Sequence, residues 1–274
     1  MGSRMIKRLL DAGFNVCVWN RSPAACEPLL QLGATALEFA HIGQAEIIML
    51  CLADDDAVQQ VINQILPFLQ PNQIIIDFSS LSVQATQQLA TQVSQKQVAW
   101  IDAPVSGGVM GAENGSLVIF AGGDNKTVDA VTPILTHVSQ RVTYMGKTGT
   151  GQATKICNQL IVAATSTLIS EAVELAKRAG VDTTLLAPAL AGGFADSKPL
   201  QILSPRMATH TFTPVQWKVQ TLAKDLNNAV KLADTHQLAI PVAQAALTQL
   251  AKHRRQGHSD ADLSSVILLH DTAQ

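Results

Sequence analysis

Short apolar runs alternate with helical patterns over the first 146 residues of this 274-residue chain, and the alternation then stops. The runs place Ile, Val and Leu at consecutive positions, as in strands that are covered on both faces. The clearest runs are Glu46–Leu52, Ile74–Phe78, Val98–Asp102 and Leu117–Phe120. Strands that alternate with helices predict a doubly wound, Rossmann-like and mostly parallel sheet.

From Gly149 onward only helical periodicity remains. The stretch from Gly149 to Gly180 has almost no polar face and ends in basic residues before a glycine, as helices often do. A helix that is apolar nearly all round is expected to be buried on several sides. We therefore predict an α/β domain over residues 1–148 and an all-α domain over 149–274, joined by a long helix at about 150–179.

Composition excludes several classes of partner. Hydrophobic residues make up 47% of the chain, the net charge is −2, and there is no basic run, so nucleic acid and anionic membranes are poor candidates. The four cysteines lack metal-like spacing and suit a reduced cytoplasm, so we expect a cytoplasmic protein without a bound metal. No unbroken apolar run is expected to span a membrane.

The predicted strands end in small or polar residues. In doubly wound sheets the ligand lies at the carboxyl ends of the strands, so these residues together favour a binding edge. The segments are Asn20-Arg21-Ser22, Ala53-Asp54, Ser79-Ser80 and Pro104-Val105-Ser106-Gly107-Gly108.

Two features point to a dinucleotide. Such folds open with a strand and Gly-x-Gly-x-x-Gly, and here only Gly2 stands in the place of the third glycine, which allows close packing of helix on strand. At the end of the next strand an acidic residue would bind the ribose 2′-hydroxyl, whereas Arg21 can bind a 2′-phosphate. The pattern therefore favours NADP(H) over NAD(H).

The long helix carries a candidate catalytic group. Lys155, Asn158 and Gln159 stand at positions i, i+3 and i+4, so they share one face of the helix. An arbitrary lysine usually extends to water, but this one lies among apolar residues and beside two amides. A lysine positioned in this way can protonate an oxyanion and bind a carboxylate or carbonyl.

Four stretches, taken together, resemble the β-hydroxyacid dehydrogenase family over the whole chain. They are Met1-Gly2, Asp102-Ala103-Pro104-Val105-Ser106-Gly107-Gly108-Val109-Met110-Gly111-Ala112, Gly149-x-Gly151-x-x-x-Lys155-x-x-Asn158-Gln159 and Lys224-Asp225-Leu226. Gln159 is more similar to the tartronate semialdehyde reductases, whereas Asn20-Arg21-Ser22 is more similar to NADPH-dependent glyoxylate/succinic semialdehyde reductases. The substrate is left open by this disagreement.

The resemblance implies roles for individual residues. Lys155 is the implied catalytic acid or base. The implied substrate-binding residues are Ser106, Gly107, Gly108, Asn158, Gln159 and Lys224. The cofactor-binding residues, including those inferred above, are Met1, Gly2, Asn20, Arg21, Ser22, Leu52, Ala53, Ser80 and Lys224.

The sequence thus predicts an NAD(P)H-dependent enzyme that interconverts a small carboxylate-bearing semialdehyde or 2-oxo acid and its hydroxy acid. Candidate substrates are tartronate semialdehyde, glyoxylate, succinic semialdehyde and 3-hydroxyisobutyrate. One alternative is an imine reductase, although those relatives usually lack a lysine at the place of Lys155. Another is a cofactor-poor, non-catalytic protein that self-associates. The apolar helical domain predicts a homodimer or homotetramer.

The glycine loop also bears on stability. The given sequence holds neither the strand before Gly2 nor the first two glycines of the loop. Without that strand, the edge beside Asn15–Trp19 is unpaired and apolar. We expect the chain as written to bind NADPH weakly and to be less stable than a form extended by about ten residues with a strand and Gly-x-Gly.

Overall fold

A computed structural model describes residues 1–271 and divides the chain into two compact units. The first unit is Met1–Lys155, and the second begins at Ile156. This division falls inside the long helix, whereas the sequence places the domain boundary just before it.

The first unit contains short strands and helices in alternation. Its strands are β1 (Cys17–Val18), β2 (Thr35–Ala36), β3 (Ile47–Leu50), β4 (Ile74–Asp77), β5 (Ala99–Asp102), β6 (Val105–Ser106), β7 (Leu117–Gly122) and β8 (Ser139–Gly146). Its helices are α1 (Gly2–Asp11), α2 (Glu27–Leu30), α3 (Asp55–Ile65), α4 (Val83–Ser94), α5 (Gly108–Asn114) and α6 (Asn125–Leu135), together with the 3-10 turns Pro23–Ala25, Phe39–Gln44 and Leu66–Phe68.

The strands form two sheets. β3, β4 and β5 are parallel neighbours, β7 runs antiparallel to β5 and β6, and β8 pairs in parallel with β7. β1 and β2 form a separate parallel pair. The predicted Rossmann-like, mostly parallel arrangement is confirmed, but β2, β6 and α5 were not predicted. β2 and β6 have two residues each, too few for a periodic pattern, and α5 contains two glycines.

Both faces of the larger sheet are covered, which explains its continuous apolar runs. Ile76 and Ile101 belong to a core cluster that includes residues of α1 and α6. Ile75 and Trp100 belong to a second cluster that includes residues of α3 and α4. Because neighbouring residues of a strand point to opposite faces, each strand must be apolar at successive positions.

Side chains at the helix starts fix where three of the helices begin. The side chains of Asp54, Ser82 and Asp124 accept hydrogen bonds from backbone N–H groups three residues later, at the starts of α3, α4 and α6. Such caps satisfy helix N–H groups that have no partner inside the helix.

The second unit is helical. It contains most of α7 (Thr150–Arg178), followed by α8 (Leu186–Leu190), α9 (Lys198–Ala208), α10 (Val219–Thr235) and α11 (Pro241–His253). It also contains a 3-10 turn at Thr183–Leu185, a π-helical turn at Arg254–His258 and a 3-10 helix at Leu263–His270. Within residues 156–271 the only β pairing is an isolated bridge between Lys218 and Asp262. The helical character that the sequence predicted for this part of the chain is confirmed.

The surface of α7 differs from the prediction in two respects. Ile161, Leu168 and Leu175 are 63%, 63% and 71% exposed, so the helix is not buried on all its apolar sides. Their seven-residue spacing places them on one face of the helix. The helix is also long and apolar enough, by length and composition, to cross a membrane, which the sequence analysis did not predict. Buried core helices of soluble proteins can share both properties.

Candidate functional site

The start of α7 is held by a buried carboxylate at the end of β5. The Asp102 side chain is fully buried, and its two oxygens accept from the backbone N–H groups of Gly149 at 2.8 Å and Gln152 at 3.0 Å. Because the first N–H groups of a helix have no partners within it, a carboxylate here both satisfies hydrogen bonds and meets the positive end of the helix dipole.

The Gln152 side chain joins the same helical turn to the end of β4. It donates to the carbonyl oxygen of Ser79 at 2.7 Å and accepts from the backbone N–H of Leu81 at 3.2 Å. The Ser79 hydroxyl in turn accepts from the backbone N–H of Leu52, which follows β3, at 2.9 Å. The ends of three parallel strands are thereby linked to the start of α7.

Lys155 lies one helical turn beyond this joint. Its side chain is only 8% exposed. α7 is continuous from Lys155 to Gln159, so Lys155, Asn158 and Gln159 have the i, i+3, i+4 arrangement on one helix face that the sequence indicated. The structure therefore places a buried lysine directly after a fixed helix start.

Burial dominates the titration of the carboxylates at these strand ends. It raises the pKa of Asp77 to about 7, against opposing hydrogen bonds from Ser79 and with a further increase from the charge of Asp102. Burial likewise raises the pKa of Asp102 to about 6, although the backbone N–H groups of Gly149 and Gln152 oppose the shift. One oxygen of Asp77, Oδ2, has no hydrogen-bond partner.

The predicted carboxylate-binding segment lies beside β7. Ser106 is in β6, opposite Val118, and is half-buried. Gly107 and Gly108 have φ angles of 122° and 64°, a region that L side chains rarely adopt. The backbone conformation thus explains two glycines in succession. A substrate-binding role for this segment stays a prediction.

The predicted cofactor residues lie at the strand ends of the first unit. Met1 precedes α1, and a β-carbon added at Gly2 would lie 3.5 Å from the β-carbon of Cys51, which follows β3. That distance is ordinary contact, so close packing alone does not require glycine there. Ala53 and Ser80 follow Leu52 and Ser79 in the segments linked above.

The segment after β1 forms a tight turn. The side-chain oxygen of Asn20 accepts from the backbone N–H of Ser22 at 2.9 Å, and all three residues from Asn20 to Ser22 are exposed. The Asn20 side chain therefore shapes the turn, and Arg21 is presented to solvent.

In the second unit two hydrogen bonds and one ion pair connect four polar residues. Asn158 Nδ2 donates to Gln159 Oε1 at 2.8 Å, and Gln159 Nε2 donates to Asp225 Oδ2 at 2.6 Å. Asp225 Oδ1 lies 3.5 Å from the Lys224 ammonium. Gln159 and Asp225 are 2% and 6% exposed. The structure thus brings together Asn158, Gln159 and Lys224, which were predicted to bind substrate.

Three residues of these networks were not predicted from the sequence. Asp102, Gln152 and Asp225 all stand inside the motifs quoted above, but roles were inferred only for other residues of those motifs. Their partners are far along the chain: Asp102 binds groups 47 and 50 residues away. Among residues 1–271, no group of three or more His, Cys, Asp or Glu side chains is arranged to bind a metal.

Comparison with family models matches both halves of the chain. Residues 1–146 match the model for the NAD binding domain of 6-phosphogluconate dehydrogenase, and residues 149–270 match the model described as NAD-binding of NADP-dependent 3-hydroxyisobutyrate dehydrogenase. The chain is 34% identical over 272 residues to 2-hydroxy-3-oxopropionate reductase of Escherichia coli, covering 97% of this chain and 92% of that protein. The chain belongs to the β-hydroxyacid dehydrogenase family.

Two further relatives of the β-hydroxyacid dehydrogenase family are similar along nearly their whole length. Glyoxylate/succinic semialdehyde reductase 1 of Arabidopsis thaliana is 29% identical over 276 residues, covering 97% of this chain and 94% of that protein. A structure of Mycobacterium tuberculosis 3-hydroxyisobutyrate dehydrogenase with L-serine has a TM-score of 0.91 at 25% identity, covering 99% of this chain and 96% of the other. The chain is therefore an NAD(P)-dependent oxidoreductase of the hydroxyacid dehydrogenase type.

The residues of the first unit fit a dinucleotide of the kind that this family uses. The ten-residue helix α1 begins beside the end of β3, and the N-terminus of such a helix suits a phosphate group. Arg21 is exposed and follows β1, and a guanidinium is a group to which phosphates can bind. The linked ends of β3 and β4 offer backbone and hydroxyl groups at the edge where doubly wound sheets bind ligands.

Proposed function

We propose that the chain reduces a small aldehyde or 2-oxo acid that bears a carboxylate, with NADPH as electron donor and Lys155 as proton donor. The main support is the buried Lys155, one turn after a helix start that is fixed to the ends of β4 and β5. The names of the relatives, 2-hydroxy-3-oxopropionate reductase and glyoxylate/succinic semialdehyde reductase, suggest the substrate class.

When bound, the nicotinamide cofactor supplies the hydride that reduces the carbonyl carbon. The Lys155 ammonium donates a proton to the carbonyl oxygen, which becomes the hydroxyl of the product. The backbone N–H groups at Gly107 and Gly108, with the Ser106 hydroxyl, bind the substrate carboxylate. Asn158, together with Gln159, orients the substrate, and Lys224 adds a cation beside it.

A substrate panel tests this function. Glyoxylate, succinic semialdehyde and tartronate semialdehyde are each offered with NADPH, and 3-hydroxyisobutyrate is offered with NADP⁺. Turnover of one or more supports the proposal. Reduction of cyclic imines alone would favour the imine reductase alternative. If NADPH fluorescence shows no binding, the non-catalytic alternative replaces the proposal.

A preference for NADPH follows from Arg21. A guanidinium can bind a 2′-phosphate through two charge-assisted hydrogen bonds. A hydrogen bond to a charged group contributes about 1.5–3 kcal/mol. We expect Arg21→Ala to raise the KM for NADPH by roughly 10-fold or more and to leave the KM for NADH unchanged. Initial rates with both cofactors measure the effect.

The exposed Arg141 provides the matched control, since Arg141→Ala removes the same charge from β8. Its KM values should equal those of the wild type. If the wild type uses NADH and NADPH equally well, Asn20-Arg21-Ser22 is only a turn, and this part of the proposal fails.

Gln159 provides a separate test of substrate orientation. Gln159→Asn keeps the amide but shortens the side chain by one methylene, so the bond to Asp225 is lost. Because Asn158 then loses its fixed acceptor, we expect the KM for the carbonyl substrate to rise roughly 10-fold, as for loss of a bond to a charged group. Gln244→Asn, on the exposed side of α11, is the control and should leave KM unchanged. An unchanged KM in Gln159→Asn would remove the orienting role.

We further propose that α7 pairs with a second copy of the chain through Ile161, Leu168 and Leu175. These side chains are exposed on one helix face, and apolar patches of this kind commonly mark protein interfaces. Sedimentation of the wild type and of Leu168→Glu tests the assembly, because a buried charge would disfavour association. A monomeric wild type would contradict the proposal.

A further inference from the structure

We propose that Asp102 and Gln152, here named the helix clamp, are positioning residues that hold the first turn of α7, and with it Lys155, against the ends of β4 and β5. This inference rests on the proposed role of Lys155. Neither clamp residue is assigned a role by the sequence motifs, and both are fully buried.

The clamp uses every polar atom of its two side chains. Both oxygens of Asp102 accept from α7 backbone groups, at Gly149 and Gln152. The amide of Gln152 both donates and accepts, at Ser79 and Leu81. Four hydrogen bonds therefore join this helical turn to the end of β5 and to the segment that follows β4, and all of them lie in the first unit.

Two glycines show how closely the helix approaches the sheet. A β-carbon added at Gly151 would overlap the carbonyl oxygen of Phe120 and would lie 2.6 Å from that of Asp102. A β-carbon at Gly122 would lie 2.7 Å from both carboxylate oxygens of Asp102 and 2.8 Å from the Gly151 nitrogen. Real β-carbon contacts are not this short, so backbone would have to move. The helix start therefore has one position relative to β5 and β7.

Placement of the helix start determines placement of Lys155. Gly151 and Lys155 are one turn apart on a continuous helix, so a shift or tilt at the clamp is transmitted directly to the Lys155 side chain. A misplacement of about 1 Å at a reacting group can lower a rate about 10²-fold. The clamp should therefore act on the chemical step more than on binding.

The experiment compares Asp102→Asn, Gln152→Met and the double variant with the wild type. Asp102→Asn keeps the shape of the side chain, but its NH₂ group would face one of the two backbone N–H donors of α7. Gln152→Met keeps the length of the side chain and removes its hydrogen bonds to Ser79 and Leu81. We expect kcat to fall about 10- to 100-fold in each, with substrate KM and NADPH affinity nearly unchanged. Hydrogen exchange over residues 149–156, without ligands, should accelerate in each variant.

Asp124→Ala is the matched control, because Asp124 caps α6 in the same unit and its exposed carboxylate accepts from Thr127 of α6. It should accelerate exchange at the start of α6 and leave kcat unchanged. If the clamp variants keep the kcat of the wild type, or if exchange accelerates equally throughout the unit, the clamp is overturned. Since Gln152→Met leaves the buried charge in place, it tests the clamp even if Asp102→Asn does not fold.

The exchange measurement separates the two proposals. Local acceleration in the clamp variants of a chain that turns over no carbonyl substrate would support the clamp and overturn the proposed function. Loss of turnover in Lys155→Ala together with unchanged exchange and unchanged kcat in the clamp variants would support the function and overturn the clamp.

Discussion

Replacement of Lys155 by alanine is expected to lower kcat at least about 10²-fold, the usual loss for a positioned general acid. The reason is that the carbonyl oxygen would then take its proton from water, which is not fixed at the reacting atom. NADPH affinity should change little, because the Lys155 side chain acts on the carbonyl. Stopped-flow reduction of the preferred aldehyde, together with NADPH fluorescence titration, separates the two quantities.

Lys177→Ala is the matched control, since Lys177 lies near the other end of the same helix and pairs with Glu174 at 3.9 Å on the surface. Its kcat should equal that of the wild type. A Lys155→Ala variant with near-normal kcat would remove lysine from the mechanism, whatever the substrate.

The second large effect concerns Asp77 and pH. Its pKa of about 7 in the folded chain lies above the ordinary value of 3.8, so the folded state favours the protonated form. The stability gained from this proton is fully present below the unfolded pKa and is lost as pH rises through the folded pKa. The full difference corresponds to about 4 kcal/mol at most, at about 1.36 kcal/mol for each pKa unit. We therefore expect Asp77→Asn to be more stable than the wild type at about pH 8.

The informative window is about pH 6.5 to 8. Below it, His253 acts in the opposite direction, because burial lowers its pKa to about 4 and its contribution to stability is lost as pH falls. In the window, urea midpoints of the wild type should fall with rising pH, and those of Asp77→Asn should fall less. The exposed Asp129 gives the control, and Asp129→Asn should keep the slope of the wild type. Parallel curves for wild type and Asp77→Asn would contradict the prediction.

Much of the fold could be predicted because its signals are local. The apolar runs of β3, β4 and β5 and the uninterrupted pattern of α7 are each contained in one segment of sequence. Lys155 could be singled out because its helical spacing to Asn158 and Gln159 is also local. The two-residue strands β2 and β6 had no such signal, since they are defined by their neighbours in the sheet.

The networks could not be predicted for a related reason. The bond from Gly149 to Asp102 and the bond from Gln159 to Asp225 join residues 47 and 66 positions apart. A carboxylate at the end of an apolar strand is compatible with solvent, a ligand or a helix start, and only the folded chain decides among these. The exposure of Leu168 was not predicted, because the sequence of an apolar helix does not show which of its faces will be covered by the rest of the chain.

The turn after β1 has a consequence for how the protein can change. Asn20 closes the turn with its own side chain, and neither it nor Arg21 contributes to a hydrophobic core cluster. Replacement of Arg21 therefore requires no compensating change in the packed interior. By contrast, Gly122 and Gly151 admit no larger side chain. We therefore expect this protein to tolerate successive substitutions in the surface turn, where cofactor preference is proposed to be determined, but not at the glycines that pack at the start of α7.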